Sequence, residues 1–266
     1  MMFLPRRSLI AVALFTLGST VPLAIGAETA KDGTPPHAPA SAGSEPCQPC
    51  EEFDRLTTLV RDGKISRSEA CSKVSILFPA IGDFYRRHGG KDFTEREWGF
   101  PLRGYGPQAI GGGRSHGYAP RGYDWFDGNR HGGHPSLDIF IRDGNHDDRD
   151  DRTGVYVQVL SVTGGIVVAR ETGWKPGSRL RGGNYLWIYD PTSDALVYYA
   201  HNRSVLAEIG QIVKPGDPIA LVGRTGLNAY RRRSPTHLHL TYLEWKTGSF
   251  APRTIYRQLL ESRVVP

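Results

Sequence analysis

The chain has 266 residues, of which 39% are hydrophobic and 23% charged, with 32 glycines and 19 prolines. This composition excludes a polytopic membrane protein, a coiled coil and a fully disordered chain, and it favours short strands and turns over long helices. A net charge of +6 and a pI near 9.3 favour anionic partners such as nucleic acids, lipid surfaces or cell-wall polymers, without choosing among them.

Residues 1–27 read as a signal peptide. Arg6 and Arg7 precede the mostly apolar stretch Ser8–Gly18, and Ile25-Gly26-Ala27 or Ala24-Ile25-Gly26 ends in small residues, as a cleavage site needs. The apolar stretch is short and Pro22 follows it, so cleavage is expected rather than a retained anchor. The expected location is therefore periplasmic or secreted, with no stable membrane span after cleavage and with disulfides permitted. Residues 28–46 have the composition of a flexible linker.

Residues 47–90 change to a small helical region. Phe53, Leu56, Leu59 and Val60 recur at helical spacing, and Gly63 is a stop. A second helix starts at Ser66, with Glu69 three residues on as a capping box, and Pro79 and Gly82 are expected to break or kink it. All three cysteines lie here. Three thiols are too few for a thiolate zinc site, so the expectation is a disulfide joining Cys47 or Cys50 to Cys71.

From Trp98 onward the pattern is β. Strands are expected at Val155–Val162, Gly165–Arg170, Tyr185–Tyr189, Leu196–His201, Pro218–Gly223 and His237–Tyr242. A domain is placed at 98–252, followed by a C-terminal helix and tail at 253–266. The fold class expected is mainly β, an antiparallel sheet preceded by the helical hairpin. Asp143-x-Asn145-x-Asp147 begins like a calcium loop, but Asp148 stands where such a loop needs glycine, so a solvated acidic loop is expected.

Of the nine histidines, three settings stand out. His237-Leu-His239 sits in a strand, where residues two apart share a face, so both imidazoles project together. His134-Pro-Ser-Leu-Asp138 places an imidazole four residues before a carboxylate at the head of the apolar run Ile139-Phe140-Ile141. A carboxylate entering a buried strand must be paired or ligated. His201 ends the run Leu196–Ala200. His134, Asp138 and one of His237 and His239 together make two imidazoles and a carboxylate, the donor set of a catalytic zinc with one open position.

These residues resemble the lysostaphin-type (LytM-like) zinc metallopeptidases, with His-x(3)-Asp at 134–138, Tyr199-Ala-His201, then His237-Leu-His239 in that order. Gly164-Gly165-Ile166-Val167, Gly183-Asn184-Tyr185, Gly210-Gln211-Ile212-Val213 and Gly223-Arg224-Thr225-Gly226 resemble its supporting strands and turns. The resemblance covers a little over half the chain, from about Trp98 to Leu243. It implies that His134, Asp138 and His239 bind Zn2+, and that His201 and His237 are the catalytic histidines, with base and acid roles open between them. It further implies hydrolysis of peptide bonds in bacterial peptidoglycan, in crosslink or stem peptides. The alternative is a non-hydrolytic, zinc-containing wall-binding or hydrolase-activating module; the five intact positions favour activity. Nucleic acid is not an expected partner, because no base-stacking or helix-turn-helix signature is present. Three departures are evident: Ser136 replaces a frequent glycine, the acidic loop 143–154 is long, and Arg231-Arg232-Arg233 precedes His-x-His. Both loops are expected to border the groove. Tyr199 is equally consistent with lining the substrate site and with core packing.

Overall fold

The computed structural model describes residues 45–266. The expected signal peptide and nearly all of the expected linker lie outside the described residues. No helix among the described residues is long and apolar enough to cross a membrane.

Helices α1 (Gln48–Arg61) and α2 (Arg67–Arg87) form the expected hairpin. Ser66 caps α2, its hydroxyl accepting from the Glu69 N–H at 3.2 Å. Gly63, at φ +66, turns the chain after α1. The expected break at Pro79 and Gly82 does not occur, and α2 continues to Arg87. Phe78, next to the proline, is buried against Phe53, Tyr189 and Phe250 at ring separations of 5.4, 4.2 and 5.8 Å. Tertiary packing thus outweighs the roughly 3 kcal/mol that an interior proline costs a helix.

The cysteine expectation is also corrected. Cys47 bonds to Cys50, leaving Cys71 as a free thiol that donates to Gly248 O at 3.1 Å. Cys47 is the cap residue of α1 and Cys50 lies one turn inside it, with Cα atoms 5.2 Å apart, within disulfide reach.

Among the described residues the sheet has nine strands: β1 (Ser136–Phe140), β2 (Gln158–Leu160), β3 (Gly165–Glu171), β4 (Asn184–Asp190), β5 (Ala195–Val205), β6 (Ile212–Val213), β7 (Pro218–Val222), β8 (His237–Lys246) and β9 (Ser249–Pro252). Its main order is β1-β8-β5-β4-β3-β6, and every pairing between these strands is antiparallel. The expected mainly β, antiparallel class is what the fold shows. The strand expected at Val155–Val162 shrinks to β2, whose ladder with β7 is interrupted by a bulge after Val159. The closing helix shrinks to α3 (Tyr256–Glu261).

Both faces of the sheet are buried, which the alternation of β4 explains. Leu186 and Ile188 join a core with Trp98, Phe100, Val197, Tyr199 and Leu240. Tyr185, Trp187 and Tyr189 join a second core with Phe53, Leu56, Val60 and Phe78 of the hairpin. The helices and the sheet therefore share a core. Tyr199 belongs to the first core: it is fully buried and its hydroxyl accepts from the Val162 N–H at 2.9 Å. Its neighbour Tyr198 points to the opposite face.

Candidate metal centre

The site lies on the face that the hairpin partly covers. Register alone brings three of its parts together. Asp138 on β1 stands opposite His239 on β8, and Ala200 on β5 stands opposite His239 from the other side. His237 shares the face of His239, as the His-x-His spacing requires. His201 comes one residue after Ala200, where β5 leaves β8; from Asn202 onward it pairs with β7 instead. At this switch His201 takes a left-handed backbone, φ +65. That conformation costs a non-glycine residue of order 1 kcal/mol and is concentrated at functional positions.

Ligand atoms of His134, Asp138 and His239 lie within 4.8 Å of one another, and the same is true of His201, His237 and His239. Asp138 is central. Its Oδ2 is 3.4 Å from His134 Nε2, and its Oδ1 is 3.1 Å from His239 Nδ1 and 3.8 Å from His237 Nε2. The structure therefore brings all five expected residues to one place.

Each imidazole has one nitrogen fixed from outside the cluster. Nδ1–H of His134 donates to Gly117 O at 2.9 Å, that of His201 to Thr225 O at 2.8 Å, and that of His237 to Pro235 O at 2.7 Å. His239 is turned round: its Nε2 meets Ser136 Oγ at 2.6 Å. A carbonyl can only accept, so three rings must carry a proton on the outer nitrogen, leaving the inner lone pair available. This arrangement is how metal-ligating histidines are oriented and their basicity tuned. Two imidazoles and one carboxylate with their free donor atoms converging fit a divalent zinc.

The electrostatics follow from these contacts. Burial alone would raise the Asp138 carboxyl, but contacts with His134 and His239 hold it well below the usual carboxylate range. His134 is raised by Asp138 against the opposing effect of burial. Burial pushes His201 well below the ordinary histidine value, and the nearby His237 and His239 add to this. His239 is lowered mainly by burial.

The supporting motifs hold His201 in place. Asn184 N–H donates to Thr225 Oγ1 at 2.8 Å, and that hydroxyl donates to Asn202 O at 2.7 Å. Gly226, at φ +116, packs so closely that a Cβ there would stand 2.8 Å from His201 Nδ1. The sequence named these segments without giving them this task. It likewise marked Ser136 only as a departure, whereas its hydroxyl orients His239 and also bonds Thr241 Oγ1 at 2.5 Å.

The two irregular loops behave differently. Arg231, Arg232 and Arg233 are exposed, and their loop is pinned by the buried Arg224, which donates to Ser234 O at 2.6 Å and Arg231 O at 2.9 Å. Ser234 lines the cavity beside the histidines, so this loop borders the site as expected; loop 143–154 contributes nothing to that lining. Nor is the acidic loop simply solvated. Asp143 and Asp150 are buried, with Asp143 accepting from the N–H groups of Asp147 and Asp148 at 3.0 and 2.9 Å.

Residues 145–251 match the model of Peptidase family M23. The match includes His201, His237 and His239 and begins after His134 and Asp138, which reach the site on or just before β1. Among solved structures, the chain is similar to one described as a glycyl-glycine endopeptidase LytM from Ruminococcus gnavus, at 27% identity over 49% of this chain and 48% of that one, TM-score 0.36. It is also similar to a zinc-containing peptidase from Vibrio cholerae, at 23% identity over 66% and 41%, TM-score 0.38. A third is the catalytic domain of the antimicrobial peptidase lysostaphin from Staphylococcus simulans, at 22% identity over 57% and 88%, TM-score 0.33. The chain spans under half the length of the first two. By its motifs and by the family model that matches residues 145–251, this chain is similar to the lysostaphin-type (LytM-like) peptidases of family M23.

Proposed function

We propose that this chain is a zinc metalloendopeptidase that hydrolyses crosslink or stem peptides of bacterial peptidoglycan in the periplasm or outside the cell. The observation that carries this reading is the pair of overlapping triads that share His239, one suited to holding a metal and the other to moving protons beside it. His134, Asp138 and His239 would hold the zinc. When bound, zinc supplies a Lewis acid that polarises a peptide carbonyl and acidifies a water.

The remaining steps belong to side chains. His201, with Nδ1–H held by Thr225 O, presents Nε2 as a proton acceptor. His237, with Nδ1–H held by Pro235 O, presents Nε2 3.8 Å from Asp138 Oδ1. Protonated, it donates to the developing oxyanion or to the leaving amine. The strained backbone at His201 fixes the position of the acceptor before substrate arrives.

A zymogram on purified peptidoglycan tests this proposal. Zinc-loaded protein should clear the gel, a chelator should abolish clearing, and added zinc should restore it. A zinc-loaded protein that binds the wall and clears nothing would leave the non-hydrolytic alternative standing.

A further inference from the structure

The cavity beside the histidines has a volume of about 340 Å3 and reaches from β8 to the end of α1. Apart from the five site residues, its charged lining consists of Arg61 and Arg181, and Asp138 is the only carboxylate among its lining residues. Arg61 is paired with two carboxylates: Nη1 donates to Glu171 Oε2 at 2.8 Å and Nε donates to Asp62 Oδ1 at 2.8 Å. Arg181 differs. Nη1 donates to His131 O at 2.6 Å, which anchors the head group. A guanidinium carries five N–H donors, and Arg181 uses no other in a bond to protein and forms no ion pair among the described residues.

Tyr198 lies next to it. Its ring stacks on Trp187 at 4.3 Å and meets His239 edge-on at 6.2 Å. Gly182, adjacent to Arg181, makes this possible, because a Cβ at that position would overlap the Tyr198 hydroxyl. Tyr198 lines the cavity, and its hydroxyl bonds to no protein atom among the described residues. A fixed guanidinium and a phenolic donor thus flank the same space, while the only carboxylate there is engaged with His134 and His239. Planar, forked donors of this kind match a carboxylate.

We propose that Arg181 and Tyr198 form the receptor for a free carboxylate that the substrate carries beside its scissile bond. This rests on the peptidase reading above and refines it, since the substrate becomes an anionic peptide in preference to a neutral one such as a glycine bridge. Arg181 and Tyr198 are then specificity-determining residues that touch substrate.

The test uses zinc-loaded full chain and two crosslinked stem peptides that differ only at the diamino acid, which carries a free carboxylate in one and a carboxamide in the other. The acid should be preferred about 10- to 100-fold in kcat/KM, mainly through KM, as expected for a charge-assisted contact. In Arg181→Gln, with zinc content and circular dichroism unchanged, the preference should fall to near one. Arg181→Lys should keep part of it, and Tyr198→Phe should lower it severalfold. A purely structural brace at Arg181 would alter melting temperature and leave the preference intact. Equal rates for acid and amide in the wild type, or an unaltered preference in Arg181→Gln, overturns the proposal. If neither peptide is cleaved, the peptidase reading fails, and calorimetric titration with both peptides decides the receptor separately. Tenfold tighter acid binding that Arg181→Gln removes supports it, and equal or undetectable binding overturns it.

Discussion

Asp138 and His239 stand directly opposite each other in the β1–β8 ladder, with Asp138 Oδ1 3.1 Å from His239 Nδ1. Sheet register therefore builds half of the candidate centre without help from any loop. Asp138→Ala should leave the ladder in place and remove the carboxylate donor. Zinc affinity, measured by competition with a chromogenic chelator, should fall more than about 100-fold, beyond the loss typical of removing a residue that merely orients a ligand. Unchanged affinity would mean that these residues do not hold the metal.

Ser136 supplies a finer test of the same centre. Its hydroxyl fixes His239 Nε2 and thereby turns Nδ1 inward. Ser136→Ala should weaken zinc binding about 10-fold, and Ser136→Thr should restore part of it. The measurement is zinc affinity in both variants; equal affinity in wild type and Ser136→Ala would refute the orienting role.

Spacing makes part of the candidate site legible, while His201 and the roles of all five residues are what the family resemblance implies. Two residues apart in a strand share a face, which paired His237 with His239, and a carboxylate heading a buried run needed a partner, which singled out Asp138. Tyr198, Arg181 and the carbonyls of Gly117, Thr225 and Pro235 left no such trace. Backbone acceptors carry no side-chain signature, and Tyr198 differs from its core neighbour Tyr199 only in the face it takes. Local rules failed where tertiary packing prevailed, as in the unbroken α2 through Pro79. They failed again where two positions one helical turn apart, Cys47 and Cys50, competed with a distant Cys71.

The role proposed for His201 is in proton transfer and not in metal binding. Its Nε2 faces the cluster, and the expected zinc ligands do not include it. His201→Ala should lower kcat by about 10²- to 10⁴-fold, the range for loss of a general acid or base, while metal analysis still finds about one zinc per chain, as a three-ligand site predicts. Loss of zinc in this variant would reverse the assignment of roles.

Asp190 provides a pH test away from the centre. Burial raises its carboxyl to about 6 despite the Thr192 N–H that donates to Oδ1 at 2.9 Å, and Oδ2 has no partner among the described residues. The folded chain thus holds this proton more tightly than the unfolded chain, where an aspartate titrates near 3.9. The stability it contributes is complete below about pH 4 and is lost as pH rises through 6. Two pKa units correspond to roughly 3 kcal/mol as an upper figure. Asp190→Asn carries no ionisable group there, so relative to the wild type it should gain stability between pH 4.5 and pH 7.5 by up to that amount. Urea unfolding of zinc-free wild type and variant at the two pH values reads the difference directly. A stability gap that is the same at both would show that Asp190 ionises in the folded chain as freely as it does in water.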